Sequence, residues 1–187
     1  MNRTCQFSLI VSTLLGSWLG MQAVHELGHV AGAWLTGGRV ERVVLHPLTI
    51  SRTDLSLNPR PLVVVWAGPI IGVTLPVLLW GIVCRFPVAF VVRFFAGFCL
   101  LANGLYVGVG SFDGVGDCGE MLRHGSECWH LWLFGAGTAP IGIWCWHGQG
   151  RHFGLGPASG RASRGVTIGV AAICIAMLLF GFVFGGE

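Results

Sequence analysis

The stretch His25-Glu26-Leu27-Gly28-His29 matches the pattern H-E-x-x-H and sits in an apolar run from about Phe7 to Trp34. If that run is a helix, the two imidazoles share one face, a turn apart, where both can reach a single zinc ion with Glu26 beside them. Zinc held by neutral nitrogens lowers the pKa of a water in its open position toward neutrality, and Glu26 is placed to take that water's proton. His25 and His29 are therefore candidate metal ligands and Glu26 the candidate catalytic base, acting on a peptide carbonyl. Ionisable groups within an apolar helix are costly and mark function.

Moving outward, the whole chain is as apolar as this run. Of 187 residues, 53% are hydrophobic and only 10% charged, with a mean hydropathy of +0.74, beyond what a soluble domain of this length tolerates. The expected environment is a lipid bilayer. All eleven basic side chains are arginines, scattered between apolar runs rather than clustered, which argues against a nucleic-acid partner. The seven cysteines show no C-x-x-C spacing, so no disulfide framework is expected, and Cys118 reads as a packing residue. Met21-Gln22-Ala23 is a weak match to a signal-peptide cleavage site. The apolar character continues through the motif, so an uncleaved anchor is the expectation.

Five membrane spans are expected, at about residues 6–36, 61–83, 88–109, 128–146 and 165–184. The fold class is an all-α polytopic membrane protein with a single domain: a core over about residues 6–125 and accessory helices over about 126–187. Gly37-Gly38 ends the first span. Residues 39–60 alternate β-branched and polar side chains and read as one or two short strands, a hairpin that belongs at the interface or against protein rather than lipid. The second span carries Ala67-Gly68-Pro69, Gly72 and Pro76, small residues and helix breakers that permit close helix approach. The fourth has tryptophans toward both ends, as an interfacial belt does. Residues 148–164, with Gly156-Pro157 and Gly160-Arg161, read as a flexible basic loop. His46, His130 and His147 are expected in loop or interfacial roles.

A zinc site with two histidines needs a third protein ligand and one position open to water. After the third span comes Ser111-Phe112-Asp113-Gly114-Val115-Gly116-Asp117-Cys118-Gly119-Glu120-Met121-Leu122, in which Asp113 and Asp117 are both candidates. Threading places this loop on the motif's side of the membrane, because three crossings separate the amino terminus from it. Arginines divide evenly between the two sides, so the positive-inside rule gives no orientation.

The helix-borne HELGH, the Ala67-Gly68-Pro69 of the next span and the Asp-Gly turn after the third together resemble the site-2 protease family of intramembrane zinc metalloproteases, and more narrowly its short bacterial branch. The resemblance covers about residues 20–125. It implies a three-helix core with Zn2+ held by two histidines and an aspartate, cleavage of membrane-embedded protein substrates, and an amino terminus outside a bacterial cell membrane. The family's third ligand opens an Asp-Gly-Gly-x-x-Leu run; Asp117 to Leu122 keeps the spacing to the second glycine and the leucine, whereas Asp113-Gly114 keeps only the dipeptide. Asp117 is thus favoured, with Asp113 as the alternative. The chain departs from the family at Gly72, where an asparagine is common, and in lacking a proline between Asn103 and Asp113. Asn103 remains a candidate contact for a substrate backbone. The competing expectation is a catalytically inactive membrane relative that binds metal or a partner helix.

Overall fold

The computed structural model describes residues 3–155 and 163–186. Six α-helices are present among them: α1 (Arg3–Leu35), α2 (Pro61–Val83), α3 (Ala89–Gly110), α4 (Gly116–Arg123), α5 (Cys128–Trp146) and α6 (Arg164–Phe184). A 3₁₀ turn spans Gln149–Phe153, and strands β1 (Arg39–Val44) and β2 (Arg52–Leu57) pair antiparallel between α1 and α2. Of the basic loop expected at 148–164, Gly156-Pro157 and Gly160-Arg161 lie outside the described residues.

Helices α1, α2, α3 and α6 are long and apolar enough to cross a membrane. These are four of the five spans expected. Residues 128–146, the fifth, also form a helix, in which three glycines, a histidine and four tryptophans interrupt the aliphatic run. The 33 residues of α1 amount to about 50 Å at ~1.5 Å per residue, so it outruns a hydrocarbon core of about 30 Å. Gly37, at φ +78°, stops it, and the Gly38 amide turns back to the Ala33 carbonyl at 2.7 Å. Lipid-compatible side chains cover the outside: Leu78 and Ile82 on α2 and Leu179, Phe180 and Val183 on α6 are all exposed.

Small residues set how the helices meet. A Cβ on Gly28 of α1 would lie 2.4 Å from the Ala67 carbonyl oxygen and 2.7 Å from the Gly68 Cα of α2, so these two backbones cross in contact. Val65, Val107, Cys118, Met121 and Leu131 form the larger buried cluster, joining α2, α3, α4 and α5. It seats α4 against the spans and thereby positions the aspartate at its start. The hairpin is held from a different side. The Leu45 amide donates to the Gly185 carbonyl at 3.2 Å, and Pro47 packs so closely on Gly181 that a Cβ there would lie 2.9 Å from its ring.

Candidate metal centre

Helical spacing places His25 and His29 on one buried face of α1, each 7% exposed, with Glu26 at 3%. Asp117 arrives from the first turn of α4. His25 Nε2 lies 2.8 Å from Asp117 Oδ2, His29 Nε2 lies 3.3 Å from the same oxygen, and the two Nε2 atoms are 3.0 Å apart. The three residues form a group that could hold a metal ion.

The far side of each imidazole fixes its tautomer, assigned here from the hydrogen-bond network. His29 Nδ1–H donates to the Val64 carbonyl at 2.9 Å. Asn103 Nδ2 donates to the Cys99 carbonyl at 2.9 Å, which turns its Oδ1 toward His25, and His25 Nδ1–H donates to that oxygen at 2.7 Å. With Nδ1–H committed on both rings, each Nε2 faces the same carboxylate oxygen, and in the neutral ring it offers a lone pair to a cation. Two ring nitrogens and one carboxylate oxygen converging on one point make a donor set that could hold a metal ion. A tetrahedron with metal–ligand bonds of ~2.0–2.2 Å has edges of about 3.3–3.6 Å. The observed edges of 2.8, 3.0 and 3.3 Å approximate one face of it. Burial would raise the Asp117 carboxyl, but when the His25 and His29 Nε2 atoms carry protons their hydrogen bonds and charge outweigh this and hold it well below the usual carboxylate range.

Backbone shape makes room for the ligands. A Cβ on Gly68 would lie 2.4 Å from both Cε1 and Nε2 of His29, so the ring occupies the space a side chain would fill. Gly72 likewise faces the Asn103 amide, which a Cβ there would approach to 3.0 Å.

Comparison with protein-family models, with curated proteins and with solved structures finds no match. The geometry of the site itself is what bears on function.

Of the two candidate aspartates, Asp117 joins the histidines; Asp113 is exposed in the turn after α3 and outside the group. Asn103, the candidate contact for a substrate backbone, is 1% exposed at the cavity wall and has its Oδ1 and one Nδ2 proton engaged inside the protein, where it orients His25. His46 sits in the hairpin connection, with its ring against Phe182, and His130 accepts from the Glu127 amide at the start of α5. Cys118 is fully buried, its thiol donating to the Tyr106 carbonyl at 3.3 Å, and burial pushes its pKa up to about 11, the behaviour of a packing residue.

Two contacts at the site were not anticipated. The Thr53 hydroxyl of β2 donates to Glu26 Oε2 at 2.7 Å, which brings the hairpin over the catalytic candidate. The Asp117 amide donates to the Tyr106 hydroxyl oxygen at 3.1 Å. The first depends on hairpin register, which alternation alone does not give. The second had a legible signal: Tyr106 follows Asn103 by three residues and shares its helix face. The site opens into a cavity of about 890 Å³, lined by His25, Glu26 and Asp117 and, from the hairpin side, by Leu48, Ile50 and Thr53.

Proposed function

We propose that this chain is an intramembrane zinc metalloendopeptidase of the site-2 protease type, hydrolysing peptide bonds of membrane-embedded protein substrates. The observation that carries the reading is the convergence of His25 Nε2, His29 Nε2 and Asp117 Oδ2 within 3.3 Å of one another, next to the buried carboxylate of Glu26. His25, His29 and Asp117 would hold the zinc. When bound, zinc acidifies a water and polarises a carbonyl as a Lewis acid. Glu26 has one carboxylate oxygen fixed by Thr53, which leaves the other to hold the attacking water. It accepts the water's proton as the new C–O bond forms, and returns it to the amine nitrogen when the C–N bond breaks.

A helical substrate hides its carbonyls in its own hydrogen bonds, so it must unwind locally before attack. The hairpin offers free backbone edge on which an unwound segment can pair as an added strand. The four apolar helices support an integral membrane setting, and the family resemblance supports an amino terminus outside.

The test uses detergent-purified protein and a single-span reporter whose membrane helix contains glycine and proline. Wild type should carry one zinc per chain and cleave the reporter. Glu26→Gln should keep the zinc and lose cleavage; undiminished cleavage would refute the assignment. The second reading, an inactive relative that binds metal or a partner helix, draws on the same Thr53 bond, because a base already capped by the hairpin could be idle. It predicts zinc without cleavage in the wild type as well.

A further inference from the structure

We infer that Tyr106 is a further catalytic residue of this site, its phenol donating a hydrogen bond to the oxygen of the scissile carbonyl as that oxygen gathers negative charge. The inference rests on the peptidase reading above. Tyr106 is the chain's single tyrosine and lines the same cavity as His25, Glu26 and Asp117. Its ring meets the His25 imidazole edge-on, with centroids 6.0 Å apart. Its hydroxyl oxygen accepts from the Asp117 amide at the start of α4, which holds the tip of the side chain beside the third ligand.

The phenol has been given its place. A Cβ on Gly116 would lie 2.5 Å from the Tyr106 oxygen, and Gly116 has φ +58°, so only glycine leaves this room without strain. A phenol carries one proton and can both donate and accept. One acceptor position is taken by the Asp117 amide, and no acceptor for the proton is found among the described residues. The other donors touching the ligands are committed: His25 Nδ1–H to Asn103, His29 Nδ1–H to Val64 and the Thr53 hydroxyl to Glu26. Besides the second Nδ2 proton of Asn103, whose amide is 1% exposed, the Tyr106 proton is uncommitted, and it sits on the more accessible side chain. Accepting a hydrogen bond from a backbone amide also polarises the O–H and makes it a better donor.

Its role in the step conserves every atom. As the water oxygen bonds to the carbonyl carbon, the π pair moves onto the carbonyl oxygen, and the Tyr106 hydrogen bond tightens without its proton leaving the phenol. When the C–N bond breaks, the pair returns to the carbonyl and the amine departs with the proton from Glu26. Tyr106 ends unchanged.

A purely structural Tyr106 would instead prop the start of α4 so that Asp117 meets the histidines. Tyr106→Phe keeps the ring and removes the hydroxyl, and three measurements on zinc-loaded protein separate the roles. Turnover of the reporter should fall about 100-fold in kcat with KM changed less than about twofold. Zinc affinity, by chelator competition, should stay within about threefold of wild type, well short of the 10–100-fold loss typical of a broken support to a ligand. Calorimetric affinity for a peptide phosphinate, whose tetrahedral centre bears an anionic oxygen, should weaken by about the same factor as kcat. A zinc affinity that falls together with turnover would overturn the inference in favour of the propping role. Turnover and phosphinate binding equal to wild type would overturn it while leaving the peptidase reading intact. A wild type that shows no zinc-dependent cleavage would remove both.

Discussion

If the site holds zinc as proposed, replacing Gly68 with alanine should weaken its binding although no ligand is substituted. The added Cβ would sit 2.4 Å from Cε1 and Nε2 of His29 and 2.9 Å from Nδ1. Carbon atoms in contact prefer ~3.5–4.0 Å, so the ring must retreat by about 1 Å or α1 and α2 must part. Parting is opposed at the neighbouring turn, where Gly28 already lies against the Ala67 carbonyl. A ring displaced by about 1 Å stretches the His29–Val64 bond from 2.9 Å to beyond hydrogen-bond range and moves Nε2 well outside the ~0.2 Å tolerance of a zinc–nitrogen bond. Zinc affinity should fall by at least about 100-fold, the upper end of what a lost support to a ligand costs, and cleavage should fall with it. The assay is chelator competition in detergent, with circular dichroism to verify helix content. Gly81→Ala is the control: it lies on the same helix, nothing stands within 4 Å of its Cβ, and zinc binding should be unaffected. A folded Gly68→Ala protein that binds zinc as tightly as wild type would refute the packing argument and the geometry assigned to His29.

Further outcomes follow from the same geometry. Asp117→Ala should abolish stoichiometric zinc in metal analysis, whereas Asp113→Ala, altering an exposed turn residue, should leave zinc content and turnover within about twofold of wild type. Thr53→Val removes the hydroxyl that anchors Glu26 while preserving β-branched strand character. With a hydrogen bond to a charged group worth about 1.5 kcal/mol, kcat should drop about tenfold at unchanged zinc content, and Thr53→Ser should restore most of it.

The sequence exposes those parts of the architecture that local chemistry determines. The bounds of α2 are announced by Pro61 at its first position, and the end of α1 by Gly37-Gly38. The H-E-x-x-H face needs only the period of a helix, and counting crossings brings the 110–120 loop to the correct end. What the pattern cannot show is what lies behind a ligand. Asn103 reads as a polar residue in an apolar span, and a substrate is the natural partner to imagine for it; only the packing of α1 on α3 puts the His25 ring there first. Thr53 is similarly silent, because β1 and β2 have irregular register at Val40 and its neighbours, and a shift of one residue would turn Thr53 away from Glu26.

The clasp between the end of α6 and the connection of the hairpin links two regions far apart along the chain. The Leu45–Gly185 bond and the Pro47–Gly181 contact make the carboxyl-terminal helix a handle on the segment carrying Thr53. A bilayer thinner or thicker than the apolar length of α6 changes how that helix leans. Because the hairpin also carries Thr53, a change of lean passed along this clasp would be felt at the Glu26 carboxylate that Thr53 holds.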